Sequence, residues 1–148
     1  PLFISSIFRM ITIFDTSYHQ EENNMLRFSE NHEWVKLDGD IAEIGISPHA
    51  VEQLGDIVFI ELPDIGTNVY KGDAVAVFES IKAASDIFSP AGGKIIDVNS
   101  VLADDLAAIT PNAAMKNWLF RVKLNTPSDL DDLMNGEITM VKTNGNLD

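Results

Sequence analysis

Residues 74–88, AVAVFESIKAASDIF, form the stretch on which the fold prediction depends. Ala74 to Phe78 and Ile87-Phe88 are predicted strands, because they are short and carry Val, Phe and Ile, which favour sheets. The segment between them contains a single lysine, Lys82, which is followed by three small residues. The stretch therefore predicts a hairpin whose protruding tip presents Lys82 among small side chains.

An internal repeat brackets this hairpin. Gly55 to Glu61 (GDIVFIE) is similar to Gly93 to Asn99 (GKIIDVN). In each copy a valine, an acidic turn and an apolar segment follow, and the apolar segments, Ala74 to Val77 and Leu106 to Ile109, are predicted strands. Two similar halves predict a small barrel or sandwich with approximate two-fold symmetry, in which the lysine hairpin connects the copies.

The remaining strand signals are short runs separated by turn residues. The further predicted strands are His32 to Lys36, Ile41 to Ile46, Asp56 to Leu62, Lys94 to Val98 and Leu119 to Leu124. Gly92-Gly93 is predicted to be a hairpin turn, and no glycine-rich phosphate loop is present. The fold class predicted from this pattern is all-β with minor helices.

Two short helices are predicted. The first is near 48–54, where Ser47 suits the N-cap, Pro48 suits the first helical position and Gly55 stops the helix. The second is a C-terminal helix near 128–134, because Ser128 can cap it and acidic residues in its first turn suit the helix dipole.

Composition excludes several classes of function. The 148 residues, about one domain, contain 10 Lys and Arg against 23 Asp and Glu, for a net charge of −13. Nucleic acids and anionic membranes recruit basic surfaces, so neither is an expected partner. The absence of cysteine excludes disulfide scaffolds, cysteine-bound zinc and thiol nucleophiles. The three histidines, at 19, 32 and 49, are not spaced as metal ligands, so no metal is expected.

The ends of the chain are predicted to lie outside the folded domain. Residues 1–25 are interpreted as an N-terminal extension that is poorly ordered or not native, with Met10 and Met25 as plausible starts. Its apolar part, Leu2 to Phe14, contains Arg9 and is too short to cross a bilayer. The domain is predicted at 26–136, with a polar tail at 137–148.

Lys82 is interpreted as an attachment point. Lysines are most often solvated surface residues, and a nucleophilic lysine needs burial or a cationic neighbour to lower its pKa. The residues around Lys82 predict neither burial nor a nearby cation. Its small neighbours leave the amine open to a modifying enzyme that forms an amide.

Three motifs resemble the glycine cleavage system H protein family of lipoyl carriers. They are HEWV (His32 to Val35), IGISPHAVEQLGDIVFIELPDIG (Ile44 to Gly66) and ESIKAASDIFSP (Glu79 to Pro90), and the resemblance covers roughly Phe28 to Gly136. The chain departs from the family at Asn117, where glycine is usual, and over residues 113–116, which lack the usual aromatic and glycine residues.

The resemblance implies a lipoyl-type barrel-sandwich hybrid with lipoate attached to Lys82 by an amide bond. It implies a carrier with no active site, serving a PLP-dependent glycine decarboxylase, a tetrahydrofolate-dependent aminomethyltransferase and the FAD enzyme dihydrolipoyl dehydrogenase, besides the enzymes that attach lipoate. It also suggests a cleft for the loaded arm near Glu33 and Asp86, with a hydrogen bond from Asn31. The expected state is a monomer in the bacterial cytoplasm, or in the mitochondrial matrix of a eukaryote.

Four alternatives remain at this point. A biotin carrier typically has Met on both sides of its lysine, whereas Ile81 and Ala83 flank Lys82. A lipoyl domain of a 2-oxoacid dehydrogenase acyltransferase fits the HEWV motif and the helix near 48–54 less well. A lipoate relay protein, which donates its lipoyl group to other enzymes, would have the same tip. An interaction domain with an unmodified Lys82 is the fourth.

Overall fold

The computed structural model describes residues 25–135, and the predicted extension and tail lie outside them apart from Met25. The strands are β1 (Met25–Phe28), β2 (Glu33–Asp38), β3 (Ile41–Ile46), β4 (Ile57–Glu61), β5 (Asn68–Val69), β6 (Ala74–Ser80), β7 (Ala84–Phe88), β8 (Gly93–Val98), β9 (Phe120–Leu124) and β10 (Met134–Asn135). The α-helices are α1 (Pro48–Leu54) and α2 (Ser100–Ala103), and three 3₁₀ helices are Leu106–Ala108, Pro111–Ala113 and Pro127–Leu130.

The strands form two antiparallel sheets. The larger has seven strands in the order β10-β1-β2-β3-β9-β8-β5, and the smaller has three in the order β4-β6-β7. The two copies of the repeat, β4 and β8, lie in different sheets. The sheets face each other without closing, which confirms the all-β barrel-sandwich class.

The core lies between the two sheets. Its fully buried side chains include Ile44 and Phe120 from the larger sheet and Phe78 from the smaller one. Because side chains alternate along a strand, each of these strands buries one face and exposes the other. Burial of this apolar surface holds the sheets together and fixes the position of the lysine hairpin, β6–β7.

One outward-facing arginine links three strands of the larger sheet. Arg121 on β9 lies 2.8 Å from Glu43 on β3 and 2.8 Å from Asp97 on β8. Its guanidinium also lies 3.7 Å from the ring centroid of Trp118. Such half-exposed pairs contribute little individually, but here one planar cation joins two carboxylates and an aromatic face.

The helix near 48–54 is confirmed, and the C-terminal helix is corrected. Ser47 accepts a hydrogen bond from the backbone of Ala50 and caps α1 as predicted. In the predicted range near 128–134 only a 3₁₀ turn forms, at Pro127–Leu130, and the chain then enters β10, which pairs with β1. A helix this short is not stable alone, and Arg27 from β1 instead binds the carbonyl of Leu130 at 2.7 Å.

Two further local predictions were wrong. Leu106–Ala108 is a 3₁₀ helix and not part of a strand, so the second half of the repeat diverges after β8. Gly92-Gly93 is not a hairpin turn, because β7 belongs to the small sheet while β8 pairs with β9 and β5 of the large one. The chain crosses between the sheets here. None of the helices within residues 25–135 is long and apolar enough to span a membrane.

Candidate attachment site and the two adjoining cavities

The tip of the lysine hairpin is a tight turn that presents Lys82 to solvent. The backbone N–H of Ser80 donates to the carbonyl of Ala83 at 2.7 Å, and the Ser80 hydroxyl lies 3.1 Å from both the carbonyl and the N–H of Ala83. Ile81 and Lys82 stand at the apex, and both are exposed. Within residues 25–135, Lys82 makes neither an ion pair nor a side-chain hydrogen bond.

The stem of Lys82 passes close to the end of α1. A Cβ atom added to Gly55, which ends that helix, would lie 3.8 Å from Cε of Lys82. The lysine stem therefore lies beside the end of α1, while the residue as a whole is exposed. An exposed lysine that makes no ion pair or side-chain hydrogen bond within residues 25–135 is suited to modification by an enzyme and not to nucleophilic catalysis.

A groove between α1 and β7 begins beside this stem. It has a volume of about 280 Å³, and we call it the α1 groove. Leu54, Gln53 and His49 line it from the helix side, and Asp86 lines it from β7. His32 and Asn31 line its far end, so the groove runs from the lysine hairpin towards the β1–β2 connection.

His32 contacts His49 across the far end of the α1 groove. The two ring centroids are 5.1 Å apart, and the rings are tilted by 49°. His32 has a left-handed backbone, with φ of 68°, which is uncommon for a residue with a side chain. Its N–H donates to the carbonyl of Ser29 at 3.1 Å and its carbonyl accepts from Ser47 at 2.8 Å, so the backbone on both sides fixes this conformation.

Glu33 occupies a second cavity on the other side of the same connection. This Glu33 cavity has a volume of about 400 Å³ and is also lined by Ser29, Asn31, Lys71 and Phe88. Glu33 is only 2% exposed. Its Oε1 accepts from the Ser29 hydroxyl at 2.6 Å, and its Oε2 accepts from the backbone N–H of Phe88 at 3.1 Å. Burial raises the pKa of Glu33, and the hydrogen bonds from Ser29 and Phe88 partly oppose that rise.

Lys71 closes the outer wall of the Glu33 cavity. Its Nζ contacts the carbonyl of Asp129 and lies 2.6 Å from Oδ1 of Asp132, and this hydrogen bond holds the pKa of Asp132 below its ordinary value. The side chain of Asp129 accepts from the N–H of Gly92 at 2.9 Å. The segment that contains Asp129 and Asp132 is thus held against the barrel and forms part of this wall.

The sequence-predicted site residues are distributed over the two cavities. Asp86 is exposed in the α1 groove, Glu33 is buried in its own cavity, and Asn31 lines both. Sequence reasoning missed Ser29 and the contact between His32 and His49. The spacing of Ser29, four residues before Glu33 across a hairpin connection, is the signal that could have identified it.

The buried carboxyl predicts a pH dependence of stability. Because folding raises the pKa of Glu33 above its ordinary value of 4.5, the unfolded chain releases the proton first as pH rises. The free energy of unfolding therefore falls as pH rises from 4.5 to the folded pKa, and it stays lower at higher pH.

Urea unfolding of the wild type and of Glu33→Gln, between about pH 4 and about pH 8, measures this effect. Since glutamine does not titrate, the stability of the wild type relative to the variant is expected to fall as pH rises. A difference that stays flat, or that rises with pH, would contradict the burial argument.

Comparisons with known proteins identify the family. The family model for the glycine cleavage H-protein matches residues 26–144. The glycine cleavage system H protein of Parvibaculum lavamentivorans is 50% identical over 109 residues, covering 74% of this chain and 87% of that protein. The H protein of Phenylobacterium zucineum is 46% identical over 109 residues, covering 74% and 90% of the two chains.

A solved structure agrees with the sequence matches. The crystal structure of a glycine cleavage system H protein from Mycobacterium marinum superposes with a TM-score of 0.70 at 31% identity, covering 82% of this chain and 98% of that one. Since the family model covers most of the chain, and the relatives match over about three quarters of it, this chain belongs to the glycine cleavage system H protein family and is a carrier subunit and not a catalyst.

Proposed function

We propose that Lys82 carries a lipoyl group in amide linkage, and that the chain shuttles an aminomethyl group within the glycine cleavage system. The observation that supports this most directly is the free, exposed amine of Lys82 at the apex of a hydrogen-bonded turn. The hydrogen-bonded turn holds the backbone of Lys82 at the apex, and the small side chains of Ala83 and Ala84 leave an enzyme room to approach the amine.

The residues around the tip fit a long flexible arm. The lysine stem passes close to Gly55, and the α1 groove that begins at Leu54 offers it a surface. The polar groups along this groove, Asp86 and Gln53 among them, can accept or donate hydrogen bonds to the end of the arm. We propose that the loaded arm follows the α1 groove past Asp86, and that Glu33 and Asn31, which lines both cavities, hold its ammonium.

Glu33 would give that ammonium a charge-assisted hydrogen bond, and the charge of Asp86 would attract the ammonium along the groove. The buried position of Glu33 also keeps water away from the loaded group. In this role the protein protects its cargo between enzymes and performs no chemistry itself.

A lipoyl group on Lys82 would supply a disulfide that is reduced as it accepts the aminomethyl group at glycine decarboxylase. The aminomethyltransferase would pass the carbon to tetrahydrofolate and release ammonia, and dihydrolipoyl dehydrogenase would reoxidise the remaining dithiol with NAD. The carrier domain contributes effective concentration, because a tethered reagent meets successive sites without diffusing away. The relatives compared here are bacterial, and we propose a bacterial cytoplasmic setting and a monomeric carrier.

Lipoylation in vitro tests the proposal. The wild type, incubated with a lipoate ligase, lipoate and ATP, is expected to gain one lipoyl adduct that peptide mapping locates at Lys82. Lys82→Arg is expected to gain none, because a guanidinium does not form this amide under the same conditions. Intact mass and peptide mapping give the readout.

Lys94→Arg is a matched control, since Lys94 is also exposed but lies on β8 of the other sheet. It is expected to be modified like the wild type. An unmodified wild type, in a tube where a known carrier is modified, would contradict the proposal, as would an adduct on Lys82→Arg. Glycine-dependent NADH formation with the three partner enzymes then separates glycine cleavage from a relay role.

A further inference from the structure

The hydroxyl of Ser29 has only one direction in which it can donate. Ser29 is 7% exposed, and its Oγ accepts from the backbone N–H of Asn31 at 3.2 Å and from that of Glu33 at 3.1 Å. A hydroxyl has two acceptor lone pairs and one proton. Because both lone pairs face N–H donors, the proton is left for Oε1 of Glu33, at 2.6 Å.

The other carboxyl oxygen of Glu33 also accepts a hydrogen bond from a group that can only donate. Its Oε2 faces the backbone N–H of Phe88, which can only donate. Both carboxyl oxygens therefore face groups that donate a hydrogen bond to them and cannot accept one from them. This arrangement favours the ionised carboxylate over the protonated acid. No ion pair to Glu33 forms within residues 25–135, since Lys71 on the same cavity is bound to Asp132.

The backbone around Ser29 keeps this geometry in place. The N–H of Ser29 donates to the carbonyl of Glu33 at 2.8 Å, and its carbonyl accepts from His32 at 3.1 Å. These bonds close the four-residue connection between β1 and β2. The side chain of Ser29 thus sits at the centre of a hydrogen-bonded loop, where its Oγ accepts from two backbone N–H groups and donates to one carboxylate.

We propose that Ser29 is a positioning residue that orients the Glu33 carboxylate in the Glu33 cavity and favours its ionised form against the effect of burial, so that it can bind a primary ammonium. The inference rests on the proposed function in that the ammonium is the one on the loaded arm. Ser29 acts through Glu33 and does not itself contact the cargo.

A carboxyl titration of the unmodified protein tests the first half of this inference. The ¹³C carboxyl resonance of Glu33, identified by its absence in Glu33→Gln, is followed against pH in the wild type, Ser29→Ala and Ser29→Thr. Ser29→Ala removes the donor, so the titration midpoint is expected to move to higher pH. Ser29→Thr keeps the hydroxyl and is expected to stay close to the wild type.

Ser29→Cys covers the case in which Ser29→Ala does not fold, because a thiol has a similar shape but is a weak donor. It is expected to move the midpoint upward as well. A midpoint that is unchanged in both Ser29→Ala and Ser29→Cys would overturn the inference. A loss of stability without a change in midpoint would also overturn it, since that is the result expected of a structural role alone.

The second half is tested on the lipoylated protein, reduced and loaded with formaldehyde and ammonia. Ammonia release is measured at the wild-type titration midpoint of Glu33. Ser29→Ala is expected to release ammonia up to about fivefold faster, because a midpoint about one pH unit higher leaves about one eleventh of Glu33 ionised at that pH instead of half, and Ser29→Thr is expected to release it at the wild-type rate.

The two readouts separate failure of this inference from failure of the proposed function. If the midpoint moves but Glu33→Gln releases ammonia at the wild-type rate, the proposed role of Glu33 is wrong and the effect of Ser29 on its charge stands. If Glu33→Gln is faster while Ser29→Ala matches the wild type in both readouts, the role of Glu33 stands and the inference about Ser29 is overturned.

Discussion

Gly93→Ala is expected to lower the free energy of unfolding by about 3 kcal/mol or more. A Cβ atom at this position would lie 2.0 Å from the carbonyl oxygen of Lys123 and 2.7 Å from Cγ1 of Val122. The oxygen belongs to the backbone of β9, and Gly93 lies opposite Leu124 in the ladder between β8 and β9. The clash can be relieved only if the two strands separate and weaken their pairing.

Urea unfolding at fixed pH measures this cost, with Gly92→Ala as the matched control. A Cβ atom on Gly92 would meet its nearest neighbours at 3.4 Å, a contact that small shifts can accommodate. The control is therefore expected to cost less than about 1 kcal/mol. Equal losses in the two variants would show that the strands do not approach as closely as the structure indicates.

Gly45→Ala is expected to cost a similar amount for a different reason. Trp34 lies opposite Gly45 in the ladder between β2 and β3 and is fully buried. A Cβ atom on Gly45 would lie 2.3 to 2.7 Å from three atoms of the indole ring. The ring would have to move and lose the hydrogen bond from its Nε1 to the carbonyl of Ala114 at 3.0 Å, for a total of about 3 kcal/mol.

A double-mutant cycle with Trp34→Leu tests this explanation. Trp34→Leu alone is expected to destabilise by about 3 kcal/mol, because it leaves a cavity and an unpaired carbonyl. In that background the added methyl of Gly45→Ala meets empty space, so it should cost little. Costs that add across the two sites would contradict the overlap with the indole, since additivity is expected only of sites that do not touch.

Local signals were sufficient for much of this fold. The cap at Ser47, the proline after it and Gly55 predicted α1 with the bounds that the structure shows. The lysine hairpin was predicted from two apolar runs around a segment of small residues. In both cases the determining interactions lie within a few residues of one another, so a sequence window contains them.

Where a competing partner is distant in sequence, the same reasoning failed. The helix predicted near 128–134 lost most of its length to contacts with Arg27, Lys71 and Gly92, which are remote along the chain. Gly92-Gly93 has the composition of a turn, but Gly93 is required by a carbonyl thirty residues later. No pattern in a short stretch of sequence indicates that Gly93 lies so close to the backbone of β9.

The sequence by itself determined the all-β class, the exposed Lys82 at a tip and the family, because each is encoded in contiguous residues. Only the tertiary structure decided the state of the predicted carboxylates: Glu33 is buried, whereas Asp86 is exposed in a different cavity. The N–H of Phe88, 55 residues from Glu33, donates one of the two hydrogen bonds to that carboxylate. The physical reason is that burial and charge depend on what the folded chain brings together from both sheets, and residue order alone does not specify those neighbours.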